Sequence, residues 1–285
     1  MFSGDRADGR RVRDAPKIRL FMPYLMPTRG ESVVYMKQKI DVSDTQAYLD
    51  RWNDGERPRI GLYHIYVAAA ARMLGERPRS NRFIVGRRLY QRNDVAITMS
   101  VLKSPKAGGT LTTVKQIYDP KDGLTAMSAR TDEILAVGRS ETPTASEREV
   151  ALITRLPRWL IPLLPKLQKL ADWLNVTPAS LAANDPLYAS LMISHNGSVG
   201  LDSVYHHLYE HGTIPIFAVL GPVRNETVVT KKGEIEIRPI FTVRYTLDER
   251  VTEGHHAARA IRFHKRLVES PWLMETPEDN GPGQP

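Results

Sequence analysis

Between Phe241 and Pro271 the apolar residues change their period abruptly. Phe241–Leu247 alternates apolar and polar residues, the pattern of a half-buried strand. Asp248-Glu249-Arg250 then forms a short charged turn. Beyond Gly254, Ala257, Ala258, Ile261, Leu267 and Val268 recur at helical spacing up to Pro271. A strand that ends in charged side chains and turns at once into a helix displays those side chains at the strand terminus, a common place for chemistry.

The rest of the chain mixes the same two periods. Residues 17–30, with Pro23 and Pro27, read as an extended arm. Ser32–Val42 reads as a strand, closing on Ser43-Asp44-Thr45-Gln46, which has the spacing of a capping box and opens a helix to about Trp52. Asp54–Pro58 is a loop, and Gly61–Leu74 an Ala-rich helix apolar enough to be largely buried. Arg82–Val85 and Arg88–Gln91 flank Gly86-Arg87 as a hairpin. Val95–Lys103 and Thr110–Tyr118 are strands separated by a Gly108-Gly109 turn, and Leu124–Val137 is a helix. Further on, Leu187–Ser194 is a strand and His195-Asn196-Gly197 a turn. Val204–Glu210 reads as a short helix stopped at Gly212, and Ile214–Val219 as a buried strand. Glu226–Val229 and Glu234–Arg238 form a hairpin about Lys231-Lys232-Gly233.

Ala151–Val176 stands apart. Leu152, Leu156, Trp159, Leu160, Leu163, Leu164, Leu167, Leu170 and Leu174 make a broad apolar face, and Pro157, Pro162 and Pro165 interrupt it. Two readings are open: a helical pair covering the sheet or a pocket, favoured because such stripes are usually core, or an element that touches a membrane surface or partner.

Composition narrows the function classes. The chain has 285 residues, enough for one large domain or two small ones, with 41% hydrophobic and 25% charged residues, as in ordinary globular proteins. It has no cysteine, which excludes disulfides, thiolate nucleophiles and thiolate-bound metals. Residues 1–16 carry four arginines but no apolar core of a signal peptide, so a flexible basic N-terminus and a cytoplasmic location are expected. The net charge of +8 suits a phosphate-rich ligand or an anionic membrane, or reflects an arginine-rich surface. The basic residues are scattered rather than striped, and nucleic acid is not expected as a partner. Residues 275–285, rich in Pro, Gly and acids, read as a disordered tail.

Asp248-Glu249-Arg250-Val251-Thr252-Glu253-Gly254 resembles the C-terminal signature of the dihydrolipoyl acyltransferase catalytic domain and of chloramphenicol acetyltransferase, Asp/His-His-x-x-x-Asp-Gly followed by an Ala-rich helix. Asn184–Gly200 is similar to the segment whose serine donates a hydrogen bond to the tetrahedral intermediate. The resemblance covers roughly residues 18–140 and 185–273. It implies an α/β two-layer sandwich of the chloramphenicol acetyltransferase type, with a mixed sheet covered by helices, over residues 17–274, with 151–184 as a helical Pro-containing insert. It also implies a homotrimer with channels between subunits, and a coenzyme A thioester or other acyl thioester as substrate. By the match, the general base position falls on Glu249 and the serine on Ser194, which would come from adjacent subunits. Glu253 takes the place of the family's aspartate, with a structural role. No lipoyl or peripheral-subunit-binding segment is read ahead of the domain, so no lipoyl attachment is expected in this chain.

The base position is the departure. Acyl transfer needs a base for the attacking thiol, amine or hydroxyl, and donors for the oxyanion. A carboxylate normally titrates near 4.3 and serves poorly unless burial raises it. Glu249 therefore reads as a working base with an altered substrate, as a remnant in a non-catalytic scaffold that binds an acyl group, coenzyme A or a partner, or as one half of an ion pair that holds the loop. The other histidines (His64, His195, His206, His207, His211, His255 and His256) are each more often packed or solvent-facing than catalytic. None has a metal-binding context, so no metal is expected. A membrane-associated protein that uses residues 151–176 as its contact is a third reading, from a different class.

Overall fold

A computed structural model describes residues 4–55, 57–103, 109–276 and 279. In chain order it contains β1 (Gly9–Arg11), α1 (Lys17–Leu25), β2 (Val33–Asp41), α2 (Ser43–Asn53), α3 (Leu62–Glu76), β3 (Arg82–Val85), β4 (Arg88–Arg92), β5 (Val95–Leu102) and β6 (Leu111–Tyr118). There follow α4 (Leu124–Arg139), α5 (Ala145–Ile153), α6 (Leu163–Leu174), α7 (Ala179–Asn184), β7 (Leu191–His195), β8 (Ile216–Val229), β9 (Ile235–Asp248) and α8 (Gly254–Glu269).

The main sheet runs β2-β9-β8-β7-β5-β6. It is mixed: β7 pairs parallel with both β5 and β8, and the remaining pairs are antiparallel. The pleat sorts its residues. Ile193, Ala218, Leu220, Val243 and Tyr245 point to one face and are buried against α3 and α8. The all-but-continuous apolar run of α3 is accounted for by this position, since its alanines allow close approach and its larger residues fill the sheet face. Met192, Phe217 and Val219 point to the other face, which is covered by the segment carrying Leu208 and Ile214. The fold is the two-layer α/β sandwich expected from the sequence.

Several local expectations are met. Gly86 and Arg87 both have positive φ, 55° and 61°, as a two-residue turn twisted to match its strands requires. The hairpin around Lys231-Lys232-Gly233 forms the tip of the long β8–β9 ribbon. That ribbon shifts register at Gly221-Pro222, where proline has no amide to donate to the ladder.

Other expectations are corrected. Besides the main sheet, β3 and β4 form a separate three-stranded sheet with β1. Residues 1–16 are thus not a free tail: from residue 4 on they fold against the body, with Arg6 buried and paired to Asp8 and Asp172. The arm at 17–30 contains α1, in which Pro23 offers no amide to the Arg19 carbonyl one turn back. Ser43 does not cap α2. Its hydroxyl donates to Asp41 at 2.6 Å, and Thr45 donates to the Val268 carbonyl instead. Val204–Glu210 is not helical. The carbonyls of His206 and Tyr209 accept from Thr246 Oγ1 and Arg29, so tertiary donors satisfy them where a helix would use its own amides. Of the tail at 275–285, Glu275, Thr276 and Asp279 are described. Asp279 is buried and accepts from the amides of Leu124 and Thr125 at the start of α4, so that part is ordered. Gly108 and the rest of the tail lie outside the described residues.

The favoured reading of residues 151–176 also fails within this chain: α5 has no buried residue and α6 buries Asp172 alone. These helices do not form a layer over the sheet. Among the described residues no helix is long and apolar enough to cross a membrane.

Candidate active site

The turn after β9 is locked by its own charges. Asp248 and Arg250 are both buried and form a two-pronged pair, Arg250 Nε to Asp248 Oδ1 at 2.9 Å and Nη2 to Oδ2 at 2.7 Å. Asp248 Oδ1 also accepts from the Arg250 amide at 3.0 Å, and Arg250 Nη1 donates to the Met26 carbonyl at 2.9 Å. With its neighbours turned inward, Glu249 points outward and is exposed. Its backbone is held on both sides: its amide donates to the Ser32 carbonyl at 2.9 Å, and its carbonyl accepts from Arg19 Nη1 at 2.6 Å.

Among the described residues the Glu249 carboxylate has no hydrogen-bond or ion-pair partner. This corrects the reading of Glu249 as half of a loop-holding ion pair, a role that Asp248 and Arg250 fill. Glu249 stands at a cavity of about 140 Å³ between α1, the end of β9 and α8, lined mostly by apolar side chains such as Met22, Leu247, Val251, Ala257 and Ile261.

Glu253 opens α8 and lies 3.3 Å from His256 Nε2 and 3.7 Å from His255 Nδ1. Donor atoms of these three residues gather within 4.8 Å of one another. The Arg79 guanidinium contacts the same His256 nitrogen and so puts a cation where a metal would sit. Burial, with His255 and Arg79 close by, lowers the pKa of His256. Glu253 precedes α8 without its side chain capping an amide there.

Ser194 lies on β7, half-buried, with its hydroxyl donating to Asn196 Oδ1 at 3.2 Å. It pairs across the sheet with Val219, which pairs with Arg244. Asn196, Asp202 and Ser203 surround this row: Arg244 Nη1 reaches Ser203 Oγ at 2.9 Å and Asp202 at 3.8 Å. Arg244 is a cation that the sequence reading passed over, although it occupies an outward slot of the β9 alternation beside the turn. Gly197 lets the turn after Ser194 lie directly on β8, since a Cβ there would come within 2.6 Å of the Gly221 carbonyl oxygen. His195 faces away from Ser194. Its ring stacks on Tyr63 at 5.5 Å, and burial lowers its pKa. The two are adjacent in sequence but sit on opposite faces of the sheet.

Glu249 and Ser194 do not meet within one chain. Ser194 is two strands from β9 and level with Arg244, five residues before Glu249. At the usual strand rise and spacing this puts them roughly 20 Å apart. They also address different faces, Glu249 the helix side and Ser194 the side covered by the 201–214 segment.

Residues 176–276 match the family model described as the 2-oxoacid dehydrogenases acyltransferase (catalytic domain). No curated protein sequence matches the chain. Among solved structures the fold is similar to a probable dihydrolipoamide acetyltransferase of Listeria monocytogenes, with 14% identity, TM-score 0.58, and 94% of this chain and 97% of that one covered. It is similar also to the dihydrolipoamide acetyltransferase of Azotobacter vinelandii, with 14% identity, TM-score 0.60 and coverage of 92% and 93%. That protein was studied for the roles of a serine, a histidine and an asparagine in its catalytic mechanism. Chloramphenicol acetyltransferase superposes with 11% identity and TM-score 0.53, over 89% of this chain and 92% of that one. The resemblance read from the sequence therefore holds at the level of fold, and residues 176–276 match the acyltransferase family model.

Proposed function

We propose that the protein is an acyltransferase that assembles as a homotrimer and moves an acyl group from a coenzyme A thioester to an acceptor hydroxyl, thiol or amine. Glu249 takes the proton from the acceptor as it attacks the thioester carbonyl. Ser194 of a neighbouring copy donates to the oxyanion. The carbon–sulfur bond then breaks, and the proton passes to the leaving thiolate. The observation that carries this reading is the state of Glu249: a carboxylate without a partner among the described residues, on a locked turn, at the mouth of an apolar cavity.

Two further features support it. The separation of Glu249 from Ser194 within one chain makes a site between copies the way to bring them together. Beside the Glu249 cavity, Ile18, Phe21 and Leu25 on α1 leave an apolar face exposed, suited to a neighbouring copy. In the single chain Glu249 is open to water, and the burial that would strengthen a carboxylate as a base has to come from that neighbour.

The test is turnover of acetyl coenzyme A and longer acyl thioesters, read as released thiol. The expected result is that Glu249→Gln loses turnover and Glu249→His keeps or raises it. Full turnover in Glu249→Gln overturns the role of Glu249. A second reading, a scaffold of the same fold that binds without transfer, is favoured by the exposed carboxylate in place of an imidazole. It predicts no thiol release from any thioester by the native chain, with activity gained only in Glu249→His.

A further inference from the structure

Residues 145–176 present an amphipathic surface turned the opposite way from a core helix. On α6, Gln168 and Asp172, one turn apart, face the body: both bond the Tyr188 hydroxyl, Gln168 at 2.9 Å and Asp172 at 2.5 Å. Asp172 also pairs with buried Arg6 at 3.0 Å. The polar side of the helix is thus its anchor. On the opposite side Leu163, Leu167 and Leu170 follow at helical spacing, with Leu167 58% and Leu170 52% exposed. Trp173 and Trp159 stand beside them at 55% and 73% exposure, and Leu152 on α5 is exposed too.

The charges around this apolar surface are nearly all of one sign. From Arg148 to Lys169 the exposed charged residues are Arg148, Arg155, Arg158, Lys166 and Lys169, against Glu149 alone. Exposed leucines, flanking tryptophans and a rim of cations are the composition of an element that lies in the headgroup region of an anionic bilayer. The same rim argues against a second copy docking face to face, since five cations would meet five.

We infer that the α5–α6 surface docks the protein on anionic lipid, with Leu163, Leu167, Leu170, Trp159 and Trp173 entering the interface and Lys166 and Lys169 meeting the headgroups. The inference stands on this surface alone and is independent of the acyl-transfer reading.

The test is flotation of the full chain with vesicles of two parts phosphatidylcholine to one part phosphatidylglycerol, alongside vesicles of phosphatidylcholine alone. Binding is expected to the anionic vesicles only and to fall as salt is raised. Each cation near the surface contributes about five-fold to partitioning, so K166E/K169E is expected to lose on the order of twenty-five-fold or more. Trp159→Phe with Trp173→Phe should keep binding but lose the blue shift of tryptophan emission that vesicles induce. Because all these side chains are exposed, the variants should keep the native circular dichroism. No flotation with anionic vesicles overturns the inference, as does binding that ignores lipid charge. A native chain that stays off vesicles, and whose oligomer falls apart in K166E/K169E or Leu167→Asp, shows instead that another copy covers the surface.

Discussion

At the scale of single residues, burial decides which titratable groups matter. His264 on α8 is fully buried, with Nδ1 3.4 Å from the Tyr245 hydroxyl and Nε2 3.3 Å from the Tyr66 carbonyl, and burial pushes its pKa down to about 4. An unfolded histidine titrates near 6.5, so between these values the unfolded chain binds the extra proton and the native chain does not. This contribution to stability is present in full above about pH 6.5, falls as the pH drops toward 4, and totals about 3 kcal/mol. Urea denaturation at several pH values should show that loss in the native chain and a flatter dependence in His264→Gln. If the proposed acyl transfer holds, Ser194→Ala is expected to lower turnover by about 100-fold, the effect of losing one oxyanion donor, with no change in the urea midpoint. Glu249 and Ser194 were singled out from the motifs they occupy. Arg244 was not, because an arginine in an outward strand slot looks like any solvated charge until its row across the sheet is known.

At the scale of elements, local chemistry and tertiary contact divide the outcome. The β3–β4 hairpin and the β8–β9 tip were readable because their turns are specified by the residues within them. The start of α5 was missed although its signal is local: Thr144 and Glu147 form a capping box, with the Thr144 amide donating to Glu147 Oε2 at 2.8 Å. Val204–Glu210 and the N-terminal strand were not readable, because Arg29 and β4 supply their partners from far along the chain. Two changes probe these joins. Gly197→Ala would push the turn after Ser194 off the Gly221 carbonyl, and is expected to cost about 2 kcal/mol of stability and to reduce turnover with it. Asp172→Ala leaves Arg6 buried without its partner on α6, and is expected to cost about 3 kcal/mol by urea denaturation while freeing α6 to protease.

At the scale of the whole molecule, the distance between the two site residues is the central fact. Were Glu249 and Ser194 to act on one substrate, they would come from different copies. Two inactive variants, Glu249→Gln and Ser194→Ala, should then regain part of the native turnover when mixed and reassembled, because some channels receive an intact residue from each. Mass measurement should give three copies per particle. Absence of recovery in mixed particles of that mass would separate the two residues functionally. The exposed α1 face and the α5–α6 surface are assigned different occupants, a neighbouring copy and an anionic bilayer.

The amino-acid sequence by itself determined the hairpins and the charged turn between β9 and α8, because each is written in a local period or in the residues of a turn, while the sandwich followed from the resemblance of that turn and of the segment around Ser194 to a known family. Only the tertiary structure decided which way the 145–176 helices face. An apolar stripe has the same period whether it meets a core or water, and the choice was made by Gln168 and Asp172 finding Tyr188 and Arg6 on the body. It likewise decided that the Glu249 carboxylate has no partner among the described residues, since it is the burial of Asp248 and Arg250 against the body that pairs them with each other and leaves Glu249 outside.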